Sequence, residues 1–539
     1  MRKFHSLLLA CASAAALSAC GADSVGSPGT GGNVTINNPP PVNPPTTPPP
    51  TTPTGVTAAA GCPTISDPQG LTDGGTITGP TGTWRVCRLP GVVRVSSTLP
   101  KVAGLLYEIN GRVNVGCDGG FSAPTAAAPL ATPLTIGCTG AQTSDTNVTL
   151  SVAPGAIFFA ATGQSWLAVN RGNKISAVGT AAQPIIFTSR DNVLGLNDDS
   201  SQGQWGGVVL LGRGVTTDCR AGSVGAGAAN TCERDTEGSA DLARFGGNDD
   251  TYNAGRMSYI QIRYSGFVLG ANNELQALTA QGVGTGTVLD HIQTHNSSDD
   301  AIEFFGGAVN MSHYVATGAD DDSLDVDTGA QLDLQYAMLL PRPGRADTLM
   351  EIDSNGFETD IRRTRVRVVN FVGIQQQTSA DNEANGRAAL FFRGNSDVTL
   401  INGVIIAPNN ECVRLNGSGT TPATLTARSV VMQCGTTKYI STGTGVDAAA
   451  SFGASANNNS DSFTGTLTGT GLFLNGTNEN GVVTSSPTTL SSFFVTTPTP
   501  YRIGAAWAGN DQWYVGWTCN SATANFGATS TACTSLPVT

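Results

Sequence analysis

Charge is what this chain has least of. Only 13% of its 539 residues are Asp, Glu, Lys or Arg, and 6% are aromatic. Zinc-type Cys-x-x-Cys or Cys/His spacing is missing, as are a Ser-His-Asp order, a phosphate-cradling glycine loop and a nucleotide motif. These gaps weaken the case for zinc proteins, serine hydrolases and nucleotide enzymes, and no organic cofactor is expected. Basic residues are few, so the net charge is −12, and it becomes −14 once Arg2 and Lys3 leave with the leader. Nucleic acid and anionic membrane surfaces are therefore poor partners, whereas cations and neutral polymers suit the charge. What is plentiful is turn chemistry: 67 glycines, with abundant Ser, Thr and Asn. That balance fits an exported all-β chain with many turns.

The most organised stretch runs from Val288 to Gly356. VLDHIQTHNSSDDAIEFFGGA is followed by VNMSHYVATGADDDSLDVDTGA, so that His291 falls on His313, Asp299-Asp300 on Asp321-Asp322 and Ile302 on Leu324, each 22 residues apart. A third copy returns at Met350 after the insertion PRPG. A period near 22 marks a solenoid, in which each copy buries its apolar face only by stacking. Strand side chains alternate faces. Ile302, Phe304, Leu324, Val326, Met350 and Ile352 then face inward. One outward column reads Glu303, Asp325, Glu351 and the next Phe305, Asp327, Asp353. Continued across a longer loop near Gln375 to Gly386, the first column adds Phe391 and Arg414 and the second Arg393 and Asn416.

Stacked strands lie about 4.8 Å apart, and two carboxylates at that spacing repel by roughly 3–4 kcal/mol at an effective dielectric near 20. Solvation by water is one remedy. The other is Ca²⁺, for which the candidate ligands are Asp299, Asp300, Glu303, Asp321, Asp322, Asp325, Asp327, Glu351 and Asp353. The turn residues among them also suit plain turn capping. His291, His295 and His313 fall in the same stretch; with Leu289, Met311 and Val315 beside them, a buried hydrogen-bonded stack is expected ahead of a metal or catalytic role. Arg342, Arg345, Arg362, Arg363, Arg365 and Arg367 are expected to compensate charge across neighbouring coils, with guanidinium capture of an anion as the alternative.

Six segments are expected. Residues 1–19 form a signal peptide, too short to be a stable membrane span. Leu17-Ser18-Ala19-Cys20 resembles the lipobox of bacterial lipoproteins. The resemblance implies acylation of Cys20, an outer-membrane anchor and cell-surface exposure. Residues 20–61 form a tether, stiffened by PPPVNPPTTPPPTTP. Residues 62–150 are expected as an N-terminal β cap, 151–440 as the β-helix, 441–500 as outer coils or a loop, and 501–539 as an aromatic cap on the last coil. Trp507, Trp513 and Trp517 there would stack sugar rings or form a hydrophobic lid. An even cysteine count in an exported chain implies disulfides. Sequence-neighbour pairs close short loops: Cys62–Cys87, Cys117–Cys138, Cys219–Cys232, Cys412–Cys434 and Cys519–Cys533.

The run from Gly155 to Cys434, with strand sets such as WLAV, KISAV and PIIFTS, resembles the right-handed parallel β-helix proteins of the pectate-lyase-like type. NSSDDAIEFFGGAVN, GADDDSLDVDTG and AWAGNDQWYVGWT are similar to a group of bacterial surface lipoproteins. The resemblance implies an all-β parallel β-helix at a cell surface. Enzymes of this fold place acidic trios, or Ca²⁺ carboxylates with a basic residue, on one outer face. Asp325, Asp327, Glu351 and Asp353 would take the acidic part and Arg393 or Arg414 the basic one, though neither family's catalytic motif is matched residue by residue. Three functions follow: capture of a polysaccharide, alone or beside an outer-membrane receptor; a lyase or hydrolase; and a structural or adhesive surface protein.

Overall fold

The computed structural model describes residues 55–237, 242–270, 273–354, 361–379, 388–417, 421–509 and 512–538. The expected signal peptide, Cys20 and most of the tether lie outside them. The chain coils into a parallel β-helix. Among the described residues, one sheet has eleven strands, running from Val92–Val93 through Ile302–Phe305, Asp325–Asp327, Met350–Ile352, Leu390–Phe392 and Val413–Gly417 to Tyr439–Gly443. A second sheet has fifteen strands, among them Gly255–Arg263, Val288–His295, Ala308–Thr317, Gln331–Leu340, Thr364–Ile374, Ser396–Ala407 and Thr424–Cys434.

These long strands each serve two faces, because one residue bends them. Tyr259, His291, His313, Tyr336, Asn370, Asn402 and Ser429 all have φ between 51° and 64°. They stack in register, one per coil. A left-handed residue reverses the chain's bend without breaking the ladder, and Asn and His accept that conformation better than most side chains. Three flat faces result, with one core between them. As expected, Ile302, Phe304, Leu324, Val326, Met350 and Ile352 point into it and are at most 1% exposed.

The expected N-terminal cap is not separate from the helix. After the antiparallel hairpin Thr72–Gly79/Gly82–Arg88, the strands Val92–Val93, Leu105–Ile109 and Arg112–Val115 already pair in parallel with later coils. The C-terminal end is closed by the short helix Ala448–Phe452. Its Ala448 and Phe452 are buried in the main core, and Phe452 packs on Tyr439.

The expectation of an aromatic cap over 501–539 is therefore corrected. From about Ser460 onward the chain runs back along the side of the helix as a strap. It covers the outer side of the face beyond the left-handed corner, where Val315, Met338, Val372, Val404 and Val431 join Phe473, Ile503, Tyr514 and Trp517 in a second apolar cluster. Buried glutamines dock it. Gln335 exchanges hydrogen bonds with the backbone of Val495 (2.7 and 3.0 Å) and Gln293 with that of Cys519 (3.1 and 2.7 Å). Arg263, buried, donates to the carbonyls of Cys533 and Ser535, and Leu536 reaches the cluster around Trp84 and Ile186. The strap thus spans most of the helix length. Each strand under it is apolar on both sides, since both are packed. All five disulfides pair sequence neighbours as expected.

Trp517 is fully buried between strap and coil. Trp517→Ala should therefore cost about 3–5 kcal/mol, lowering the apparent Tm and exposing the strap to protease while the coils stay resistant. An unchanged melt and digestion pattern would mean that the strap carries no load.

Candidate functional site: an acidic face on the first sheet

The two outward columns form as expected. Glu303 pairs with Asp325, Asp325 with Glu351, Glu351 with Phe391 and Phe391 with Arg414. In the next column Phe305 lies beside Asp327, and Arg393 Nη1 lies 2.8 Å from Glu351 and 3.1 Å from Asp353. Glu303, Asp327, Glu351 and Asp353 are each more than nine-tenths buried, so plain solvation by bulk water does not relieve them.

The turns feeding this sheet add more acid. Asp300 accepts the Asp322 backbone N–H (2.9 Å), and Asp322 in turn accepts that of Thr348 (2.7 Å). These two aspartates therefore do the turn work expected of them, each tying its coil to the next. They also sit beside the columns. Carboxylate oxygens of Asp299, Asp300 and Asp321 lie within 4.8 Å of one another, as do those of Asp300, Glu303 and Asp325. Oxygens bound to one Ca²⁺ at 2.3–2.6 Å can be no farther apart than about 5 Å, so both triads have the spacing of a cation cage. Asp325 Oδ1 is sealed from solvent without a hydrogen-bond partner.

Burial and mutual repulsion set the protonation. Burial raises the carboxyl pKa values of Glu303 and Asp325 well above the ordinary range, and their acidic neighbours add to it: Asp325 and Asp300 act on Glu303, and Glu351 and Asp327 on Asp325. Asp299, Asp300 and Asp322 are raised for the same reasons. Asp327 is pushed up to about 8 by burial and by Asp353, against the pull of Arg234.

Three contributors, Arg234, Glu237 and Phe245, were not legible in the repeat. The excursion closed by Cys219–Cys232 folds over the first sheet. It brings Arg234 to within 3.9 Å of Asp327 and 5.1 Å of the Phe305 ring, and Phe245 onto Phe305. It also brings Glu237, whose carboxyl is raised by burial and whose charge is felt by Glu303. Nothing in the local sequence of this excursion announces its target. At the other end Phe391 carries two guanidinium groups, those of Arg393 and Arg414, each 5.6 Å from its ring centre. Arg414 is 7% exposed, and its Nε and Nη1 have no hydrogen-bond partner.

Other candidates resolve differently. His291 and His313 occupy the left-handed corner, outside the core. They stack on each other (4.2 Å) between Tyr259 and Tyr336, with Trp513 and Trp517 set edge-on. Burial and the neighbouring His291 hold His313 near pKa 3, and burial does the same to His295, so both are neutral at physiological pH. Trp517 is fully buried in this contact and Trp507 is 6% exposed, which removes both as open sugar platforms; Trp513 stacks beside Trp517 and donates its indole N–H to Ala505. Five of the six arginines in the run pair with acids, as expected, while Arg363 donates to the Ser396 and Pro422 carbonyls. Arg342 pairs with Asp320, Arg362 with Asp250, and Arg365 and Arg367 with Asp333, none of which belongs to the acidic columns.

A model of the family described as the pectate-lyase like beta helix domain matches residues 130–472. With parallel coils carrying an acidic outer face, the chain belongs to that family, whose fold fits a polysaccharide-related or surface role. No curated protein and no solved structure matches the chain.

Folded-state carboxyl pKa values above those of the unfolded chain fix the sign of the pH dependence. Between about pH 4 and pH 8 the raised carboxyls hold protons that the unfolded chain has lost and make stability fall as pH rises; His295 and His313, neutral in the fold, oppose this below about pH 6.5, so the fall is steepest from about pH 6.5 to pH 8. In chelator, the unfolding free energy should drop across that window, by up to about 1.4 kcal/mol per pH unit for each unshared proton, and Tm should fall with it. Asp327→Asn should flatten the upper part of the slope. A chelated protein that gains stability from pH 5 to pH 8 would contradict the assignment.

Proposed function

We propose that the protein is a lipid-anchored cell-surface protein that binds a polysaccharide through divalent cations, foremost Ca²⁺, held on the acidic face. The observation that carries this reading is the in-register ladder Glu303, Asp325 and Glu351, buried beside two triads of cation-cage spacing. In this reading Asp299, Asp300, Glu303, Asp321 and Asp325 supply oxygens to the ions. Ca²⁺ would supply charge neutralisation, letting these carboxyls ionise together. Arg393 and Arg414, on either side of Phe391, would receive a polar or anionic group of the polymer. Acylation of Cys20 and the proline-rich tether would hold the helix clear of the lipid surface.

A second reading, polysaccharide cleavage, is favoured by one feature. Asp327 stays protonated to about pH 8, as a general acid must, and the paired Arg393 lies in the same column. Binding without turnover has the stronger support, because neither enzyme family's catalytic motif is matched in this sequence.

Ca²⁺ should raise Tm and release protons on binding, since the carboxyls it captures are protonated without it. Saturation at one hundred times Kd corresponds to about 2.7 kcal/mol of added stability. Asp325→Asn and Glu303→Gln should each remove most of that gain. Arg414→Gln should weaken retention on a polysaccharide panel while leaving the Ca²⁺ shift intact. A melt indifferent to Ca²⁺ and chelator would sink the cation reading, and release of reducing or unsaturated sugar ends would replace binding with catalysis.

A further inference from the structure

The 22-residue period is broken at the insertion Pro341–Gly344 and again after Ile374. Both departures occur where the long strands Gln331–Leu340 and Thr364–Ile374 end. There the two inserted turns and two separate segments of the strap, Gly471-Leu472 and Ala522-Thr523, enclose a cavity of about 240 Å³. A solenoid gains nothing in its own stacking from such turns, so the question is what the space between them accepts.

Its walls are of two kinds. Pro341, Pro343, Ile374 and Leu472 give flat apolar surface, while Gln375, Gln376, Gln377, Thr378 and Thr523 give amides and hydroxyls. Among the lining residues there is no carboxylate, and the one cation, Arg342, is already paired with Asp320 at 2.9 Å. Gln375 is 5% exposed, and its Nε2 donates to the Asp347 carbonyl at 2.7 Å. The same amide's Oε1 is sealed from solvent and has no hydrogen-bond partner, a costly state for a buried acceptor. Leu472 lines the cavity from the left-handed region, at φ 55°, which a branched side chain adopts only under constraint.

We infer that this cavity between the inserted turns and the strap binds a single neutral sugar ring. A pyranose has one apolar face to lay against proline and leucine and a rim of hydroxyls for side-chain amides. The one charge in the lining, Arg342, is balanced by Asp320 through its Nε, and its Nη2 is sealed from solvent without a hydrogen-bond partner, so an anionic ligand would have to compete with Asp320 for it. The volume lies below the roughly 300–1,000 Å³ typical of larger ligands, which limits the occupant to one ring. The site is independent of the cation reading, since none of the acidic-face residues lines it.

The test uses the full chain carrying Cys20→Ala, in chelator, titrated with glucose, galactose, mannose and N-acetylglucosamine by saturation-transfer NMR and calorimetry. At least one sugar should bind saturably in the millimolar range. Ala522→Trp, on the exposed rim, should weaken it tenfold or more with Tm unchanged, and Gln376→Ala with Gln377→Ala should weaken it several-fold. Glu351→Gln should leave it unaltered. Absence of saturable binding by every sugar overturns the inference. So does binding that survives Ala522→Trp, or that disappears with Glu351→Gln, because the sugar would then sit elsewhere.

Discussion

Parallel register is the constraint from which the rest of this structure follows. Each coil lies about 4.8 Å from the next, and the ladder leaves no freedom to shift one strand without turning its side chains to the other face. Whatever residue type recurs in the sequence is therefore repeated in space. For apolar residues the repetition builds a continuous core. For Asn, His and Tyr at the left-handed corner it builds a stacked column. For Glu and Asp it builds an electrostatic problem, because like charges meet at a spacing that water cannot fully screen once the face is half covered.

The acidic face is where that problem is left standing. Elsewhere acids have partners: Asp118 and Glu233 share the buried Arg171, Asp145 has Arg213, and Asp333 has Arg365 and Arg367. On the first sheet, by contrast, the ladder places Glu303 beside Asp325 and Asp325 beside Glu351. The protonation of Glu303 and Asp325 is shifted by burial before any neighbour acts.

The strap changes how the helix should be understood. A bare solenoid depends on nearest-neighbour contacts alone and frays from its ends. Here a single segment touches coils from Val431 back to Ile186, linking neighbours that share no ladder. It buries the aromatic ladder of the corner and closes one wall of the cavity near Gln375, while the excursion packs Phe245 and Arg234 over Phe305 on the first sheet. What covers each face is thus set by one excursion and one tail.

Register, inward residues and acidic columns were legible in sequence because they are local: a fixed period of 22 and a strand period of two determine who stacks on whom. Neighbour disulfides were legible for the same reason. The apolar runs Tyr336-Ala337-Met338-Leu339-Leu340 and Val368-Val369-Asn370-Phe371-Val372 did carry a sign that both sides of those strands are covered, though not by what. That the tail returns along the flank, that Arg234 and Glu237 arrive over Phe305 and Asp327, and that Trp517 packs on histidines were decided only by tertiary structure. Those contacts join residues hundreds of positions apart. Their partners are selected by shape and burial, which no periodicity encodes.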